Sequence, residues 1–212
     1  MNLTPDLLQA ALLMLTGLAS AIWIGRARRG YGEPDQPALF SALLAFSLAA
    51  GTGACAAARL ALGANTLEAE RWLLQATLLL GLPLVGVAAL TLSRRWIWSR
   101  PTWGRVVIGL CAFFELARQL GWSAPYALSL GLLSALLVIY AGLLQWPARL
   151  QTTAGLAGGV LLMALLPWGG LLMGSNPLQP YQQLWLALAM PMIAWLLLRL
   201  PGNSREENPL ST

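Results

Sequence analysis

Apolar stretches of about 20 residues recur along nearly the whole chain, and that recurrence constrains its fold more than any other feature. A helix rises about 1.5 Å per residue, so roughly 20 apolar residues carry it across the hydrocarbon of a bilayer. Seven stretches qualify: residues 7–25, 38–62, 72–92, 105–122, 125–146, 153–173 and 182–200. Only 10% of the residues are charged. A water-facing domain carries roughly 25%. The expected fold class is therefore an all-α integral membrane bundle of about seven transmembrane helices. It forms one domain over residues 1–200, followed by a polar, disordered cytoplasmic tail at 201–212. No connecting segment is long enough to fold as an aqueous catalytic domain.

Arginine placement supplies an orientation. Short loops rich in basic residues stay in the cytoplasm. Arg26, Arg28 and Arg29 follow the first segment, and Arg94, Arg95, Arg100 and Arg105 follow the third. Arg149 follows the fifth, and Arg199 and Arg205 close the chain. Seven crossings with the N-terminus outside and the C-terminus cytoplasmic put all ten on one side. If the fourth segment, which is short and holds Glu115 and Arg118, does not cross, the count falls to six and the second half inverts. The first apolar run has Asp6 before it and its arginines after it, the reverse of a secretory signal, so it reads as an uncleaved helix.

Missing residue types exclude much chemistry. The chain has no His and no Lys, and Cys55 and Cys111 are its two cysteines. Bis-histidine haem, the usual zinc sites and His general-base catalysis are ruled out. So are a retinal or pyridoxal Schiff base and a phosphate-loop lysine. Two cysteines cannot alone hold an iron–sulfur cluster. No cofactor and no metal site is expected. The net charge of +5 reads as topology-setting arginine rather than as a nucleic-acid surface, so the bilayer is the expected partner, together with a possible protein partner in the membrane. Cys55 and Cys111 differ in depth, which speaks against a disulfide, and both read as buried thiols.

Intramembrane polar residues mark the candidate site. Glu115 and Arg118 lie three apart on one face of the fourth segment and can pair, with Cys111 and Trp122 extending that face. Gln75 and Gln183 lie near the outer ends of the third and seventh segments, each eight residues before a mid-helix proline, Pro83 and Pro191. Those prolines free backbone carbonyls that neighbours or water must satisfy. If the helices are adjacent, these residues outline an outward-opening cavity around Glu115. Arg59, near the outer end of the second segment, reads as snorkelling to the interface.

A weak internal repeat accompanies the shared proline spacing. Gly17-Leu-Ala-Ser20-Ala in the first segment matches Gly131-Leu-Leu-Ser134-Ala in the fifth. A duplicated three-helix unit joined by an extra helix, a 3+1+3 parallel repeat, accounts for both features, and parallel repeats occur in some transporters.

Three functional classes remain. The favoured expectation is a non-catalytic accessory, assembly or sensor protein, with no enzyme activity. The alternative is a small transporter or permease with a polar site around Glu115. A membrane-embedded lipid-modifying enzyme comes last, because little is present to do chemistry with. Short loops, Arg-only basicity and an Ala/Leu bias suit a bacterial cytoplasmic (inner) membrane.

Overall fold

The Thr4 hydroxyl accepts a hydrogen bond from the Leu7 N–H at 3.4 Å, and Pro5 fills the first helical position, where its missing N–H costs nothing. From this cap onward the computed structural model describes residues 4–166 and 181–201, save the side chains at 118, 123 and 124. Every regular element among the described residues is helical. The elements are α1 (Pro5–Ala27), α2 (Gln36–Leu62), α3 (Leu67–Ala76), α4 (Leu82–Ser93), α5 (Arg100–Gln119), α6 (Ser123–Leu143), α7 (Arg149–Ala164) and α8 (Gln182–Arg199). A π-helical turn, Thr77–Gly81, joins α3 and α4 into one rod.

That turn has a local cause. Pro83 lacks an N–H, and its ring crowds the carbonyl four residues earlier. A widened turn just ahead of it relieves that crowding. Inside the break, the Thr77 hydroxyl donates to the Leu73 carbonyl at 2.8 Å and lies 3.2 Å from the buried Thr52 hydroxyl of α2. The opening is thus filled by protein groups. Pro191 sits inside α8 on an exposed face.

Five of the rods are long and apolar enough to cross a bilayer: α1, α2, the α3–α4 rod, α6 and α8. Seven were expected, and the two that fall short have identifiable reasons. Any eighteen consecutive residues of α5 include Arg105, Glu115 and either Arg100 or Arg118. The described part of α7 is 16 residues long, and the end of the predicted sixth segment lies outside the described residues. Of the predicted tail at 201–212, residues 202–212 lie outside them as well.

The outward faces are apolar. Leu15 is 57% exposed, Leu133 52% and Val160 59%. A surface of this kind, spread over many helices, suits lipid and not water. Inside, one continuous core draws on α1, α2, α4, α6, α7 and α8, with Trp103 contributed by α5.

Neighbour relations close a circuit. α1 packs on α2, α2 on the α3–α4 rod, α4 on α6, α6 on α7, α7 on α8, and α8 back on α1. α5 lies outside the circuit, with small contacts to α6, the π turn and α2. It leans inward through Trp103, Val106, Val107 and Leu110, a helical stripe, while Ile108 and Phe113 face away.

Glycines set the closest crossings. A Cβ on Gly17 would come 2.8 Å from the Ala50 nitrogen, and one on Gly142 would come 2.7 Å from the Gly155 Cα. Packing in lipid rests on such close approach, because no hydrophobic force separates helices from acyl chains.

Antiparallel succession gathers polar groups at the two ends of the bundle. At the end where α1 finishes, the Tyr31 hydroxyl donates to the Leu198 carbonyl at 2.6 Å, and Arg94 of the α4 terminus reaches the Tyr140 hydroxyl of α6. Asp35, in the α1–α2 connection, has its pKa raised by burial, an effect opposed by the nearby charge of Arg95.

Candidate functional site

The opposite end, where α1 begins, carries the most developed polar arrangement among the described residues. It starts with a helix stop. Gly63 adopts φ +66° after α2, its N–H returning to the Arg59 carbonyl at 3.1 Å, while the Ala64 N–H reaches the Ala58 carbonyl at 3.4 Å. This left-handed cap reverses the chain. The Thr66 hydroxyl then donates to the Cys55 carbonyl at 2.8 Å, tying the turn to α2 just before α3 starts at Leu67.

The reversal sets Glu70 of α3 against Arg59 of α2. Arg59 donates through Nε to Glu70 Oε2 at 2.7 Å and through Nη2 to Oε1 at 3.3 Å. Gln183 of α8 adds its Nε2 to the same Oε1 at 3.4 Å. The Glu70 side chain is 11% exposed and that of Arg59 34%. A two-pronged guanidinium–carboxylate pair is directional and strong for its kind. Here it ties three helices at one point.

Beside this node opens a recess of about 220 Å³. Asp6 and Gln9 of α1 form one wall, Arg59 and Leu60 of α2 another. Leu74 of α3 and Gln182 with Gln183 of α8 complete it. Gln9 is 8% exposed and makes no hydrogen bond to another described residue. Its amide is open to the recess and can bond to whatever fills it; the buried side-chain atom left without a partner among the described residues is Trp185 Nε1.

The residues singled out from sequence fall into separate places. Gln183 joins the Glu70 node. Gln75 is exposed on α3 and does not line the recess, although its neighbour Leu74 does. Glu115 is half-buried on α5 and accepts from Gln119 Nε2 at 3.0 Å on the same helix. Its flanking face carries Cys111 and Trp122, both exposed, so that face lies off the inward stripe of α5. The Arg118 side chain lies outside the described residues.

Two expectations need correction. Arg59 does not simply snorkel; a carboxylate from the next helix holds it. Cys111 is exposed and not a buried thiol, and Cys55, half-buried, is likewise free. The residue that sequence reasoning missed is Glu70. It falls between the second and third predicted segments, because residues 67–71 are too charged to read as membrane helix. The available signal was its place one turn after Thr66, which opens a helix and accepts the Glu70 N–H at 2.8 Å. Among the described residues no group of three or more His, Cys, Asp and Glu converges as a metal site would require. Comparison with protein families, with curated proteins and with solved structures finds no match.

Proposed function

We propose that this chain is a multi-pass membrane protein with no catalytic activity, an accessory, assembly or sensing component that works through contacts. The observation that carries the reading is the filled middle of the bundle. Phe46, Val85, Ala135, Val138, Met190 and Ile193 come from four helices, and each is at most 1% exposed. Midplane transport sites are built from broken helices whose freed backbone lines a cavity. Here the break before Pro83 is occupied by Thr52 and Thr77. Glu115, the one acid within the fourth predicted segment, sits on the peripheral helix and away from that core.

The proposal keeps seven crossings, with the N-terminus outside and the membrane a bacterial cytoplasmic one. Its support is the arginine distribution: Arg26, Arg28, Arg29, Arg94, Arg95, Arg100, Arg105, Arg149 and Arg199 all fall at one end of an up-and-down order.

A small transporter is the second reading, favoured by the neighbour relations. α1 touches α2 and α8, and α6 touches α7 and α4. A 3+1+3 repeat that maps α1 onto α6 and the α3–α4 rod onto α8 reproduces these relations.

Thiol labelling separates the two. Glu115→Cys, in a chain whose Cys55 and Cys111 are replaced by Ala, is exposed to a membrane-impermeant maleimide from each side of sealed vesicles. The accessory reading expects no labelling from either side while the protein stays folded. Labelling from outside demonstrates a water path to Glu115 and overturns it in favour of transport.

A further inference from the structure

The recess beside the Arg59–Glu70 node has features of a ligand site, and its depth and charge narrow the ligand. Asp6 lies in the first turn of α1, Arg59 in the last turn of α2, and Gln182 and Gln183 in the first turn of α8. All of these are ends of spanning-length helices, so the recess sits at headgroup depth. Trp72 is exposed at the same end, as interfacial aromatics are.

The charges are specific. One guanidinium and one carboxylate, Arg59 and Asp6, line the recess, while Glu70, outside the lining, takes two of the guanidinium N–H groups. A zwitterion matches that pair of opposite charges. Asp6 is exposed at the rim, available to accept from a primary ammonium. Arg59 uses Nε and Nη2 on Glu70, which leaves Nη1 to donate. The amides of Gln9 and Gln182 add donors and acceptors, and that of Gln9 is open to the recess with no bond to another described residue. The volume, about 220 Å³, is below the roughly 300–1,000 Å³ of sites for drug-sized ligands and suits a headgroup. Leu60 and Leu74 line the same recess, and Leu60 is exposed beyond it, so an acyl chain has an apolar flank to follow.

The geometry points to a zwitterionic phospholipid headgroup, a phosphate with a primary ammonium as in phosphatidylethanolamine, held between Arg59 and Asp6 with Gln9 and Gln182 bonding to it. The site is independent of whether the chain transports anything, since it involves neither Glu115 nor the core. A quaternary ammonium has no N–H for Asp6. A glycerol headgroup has no cation, and a serine headgroup adds a second carboxylate beside Asp6.

The test uses the full chain, delipidated in detergent and titrated in native mass spectrometry. The probes are phosphatidylethanolamine, phosphatidylcholine and phosphatidylglycerol of matched acyl chains. Asp6→Asn and Gln9→Leu are carried alongside, each checked for native unfolding behaviour. The expected result is one phosphatidylethanolamine bound about tenfold tighter than either other lipid, the scale of one charge-assisted hydrogen bond. Asp6→Asn reduces it to the phosphatidylcholine level, and Gln9→Leu weakens it. Equal binding of all three lipids, or binding unchanged in both variants, overturns the proposal and leaves a recess filled by water. Displacement by soluble phosphoethanolamine at equal concentration assigns the site to a free ligand and overturns the lipid assignment.

Discussion

Gly142 and Gly155 hold α6 and α7 at their closest approach, and substituting Gly142→Ala tests whether that contact supports the fold. A Cβ at 142 would lie 2.7 Å from the Gly155 Cα and 3.4 Å from its carbonyl carbon and nitrogen. No flexible side chain is there to swing away; the obstacle is backbone. The two helices must part by several tenths of an ångström, and overpacking of this kind costs about 1–3 kcal/mol. Alanine is also the better helix former by about 1 kcal/mol, which offsets part of the loss. The net expectation is a destabilisation of up to about 2 kcal/mol. Gly109→Ala on α5 is the internal control. Nothing lies within 4 Å of its added Cβ, so only the propensity gain remains. The assay is unfolding of the full chain in mixed micelles as the denaturing detergent fraction rises, followed by tryptophan fluorescence. Gly142→Ala should shift the midpoint down and Gly109→Ala up. The double variant Gly142→Ala, Gly155→Ala should lose less than its two singles together, because both act on one contact. A Gly142→Ala protein stabilised as much as Gly109→Ala refutes the close-approach argument.

Other expectations follow from the polar ends. Glu70→Ala leaves Arg59 and Gln183 without their common acceptor and should cost about 1.5–3 kcal/mol in the same unfolding assay, while Gln183→Ala, removing one 3.4 Å bond, should cost about 1 kcal/mol or less. Asp35 has a folded pKa above the ordinary 3.8, chiefly from burial, so the folded chain holds this proton more tightly than the unfolded one. Its contribution to stability therefore falls as pH rises through the folded value. Asp35→Asn should be more stable than the parent at pH 7, with the difference gone well below pH 3.8; a pH series of unfolding midpoints checks the sign.

Much of the helical layout was legible because lipid imposes length and apolarity on each crossing. The apolar runs at 7–25 and 38–62 became α1 and α2 with ends displaced by at most two residues. The third run was read from 72, but its helix starts at Leu67. Its first turn is charged, and hydropathy alone assigns such a turn to a loop. That turn carries Glu70, so the same shortcut hid the node with Arg59. The fourth run holds Glu115 and Arg118, and Glu115, together with Arg105 and either Arg100 or Arg118, keeps α5 from spanning composition. Pro83 announced strain without saying how it is relieved. Thr52 of another helix meets Thr77 at the π turn, a tertiary contact that no local pattern contains. Gln183 bonds to Glu70, a partner that lies 113 positions away in the chain.

The central claim is that the middle of the bundle is filled and dry, and the most direct measurement places a thiol there. Ile193 is fully buried among the core helices, and Ile193→Cys in the Cys55→Ala, Cys111→Ala chain leaves a small apolar-compatible reporter. With membrane-impermeant maleimide on each side of sealed vesicles in turn, the account predicts no labelling until the protein is unfolded. Labelling of the folded protein from either side would show water at the core and contradict it.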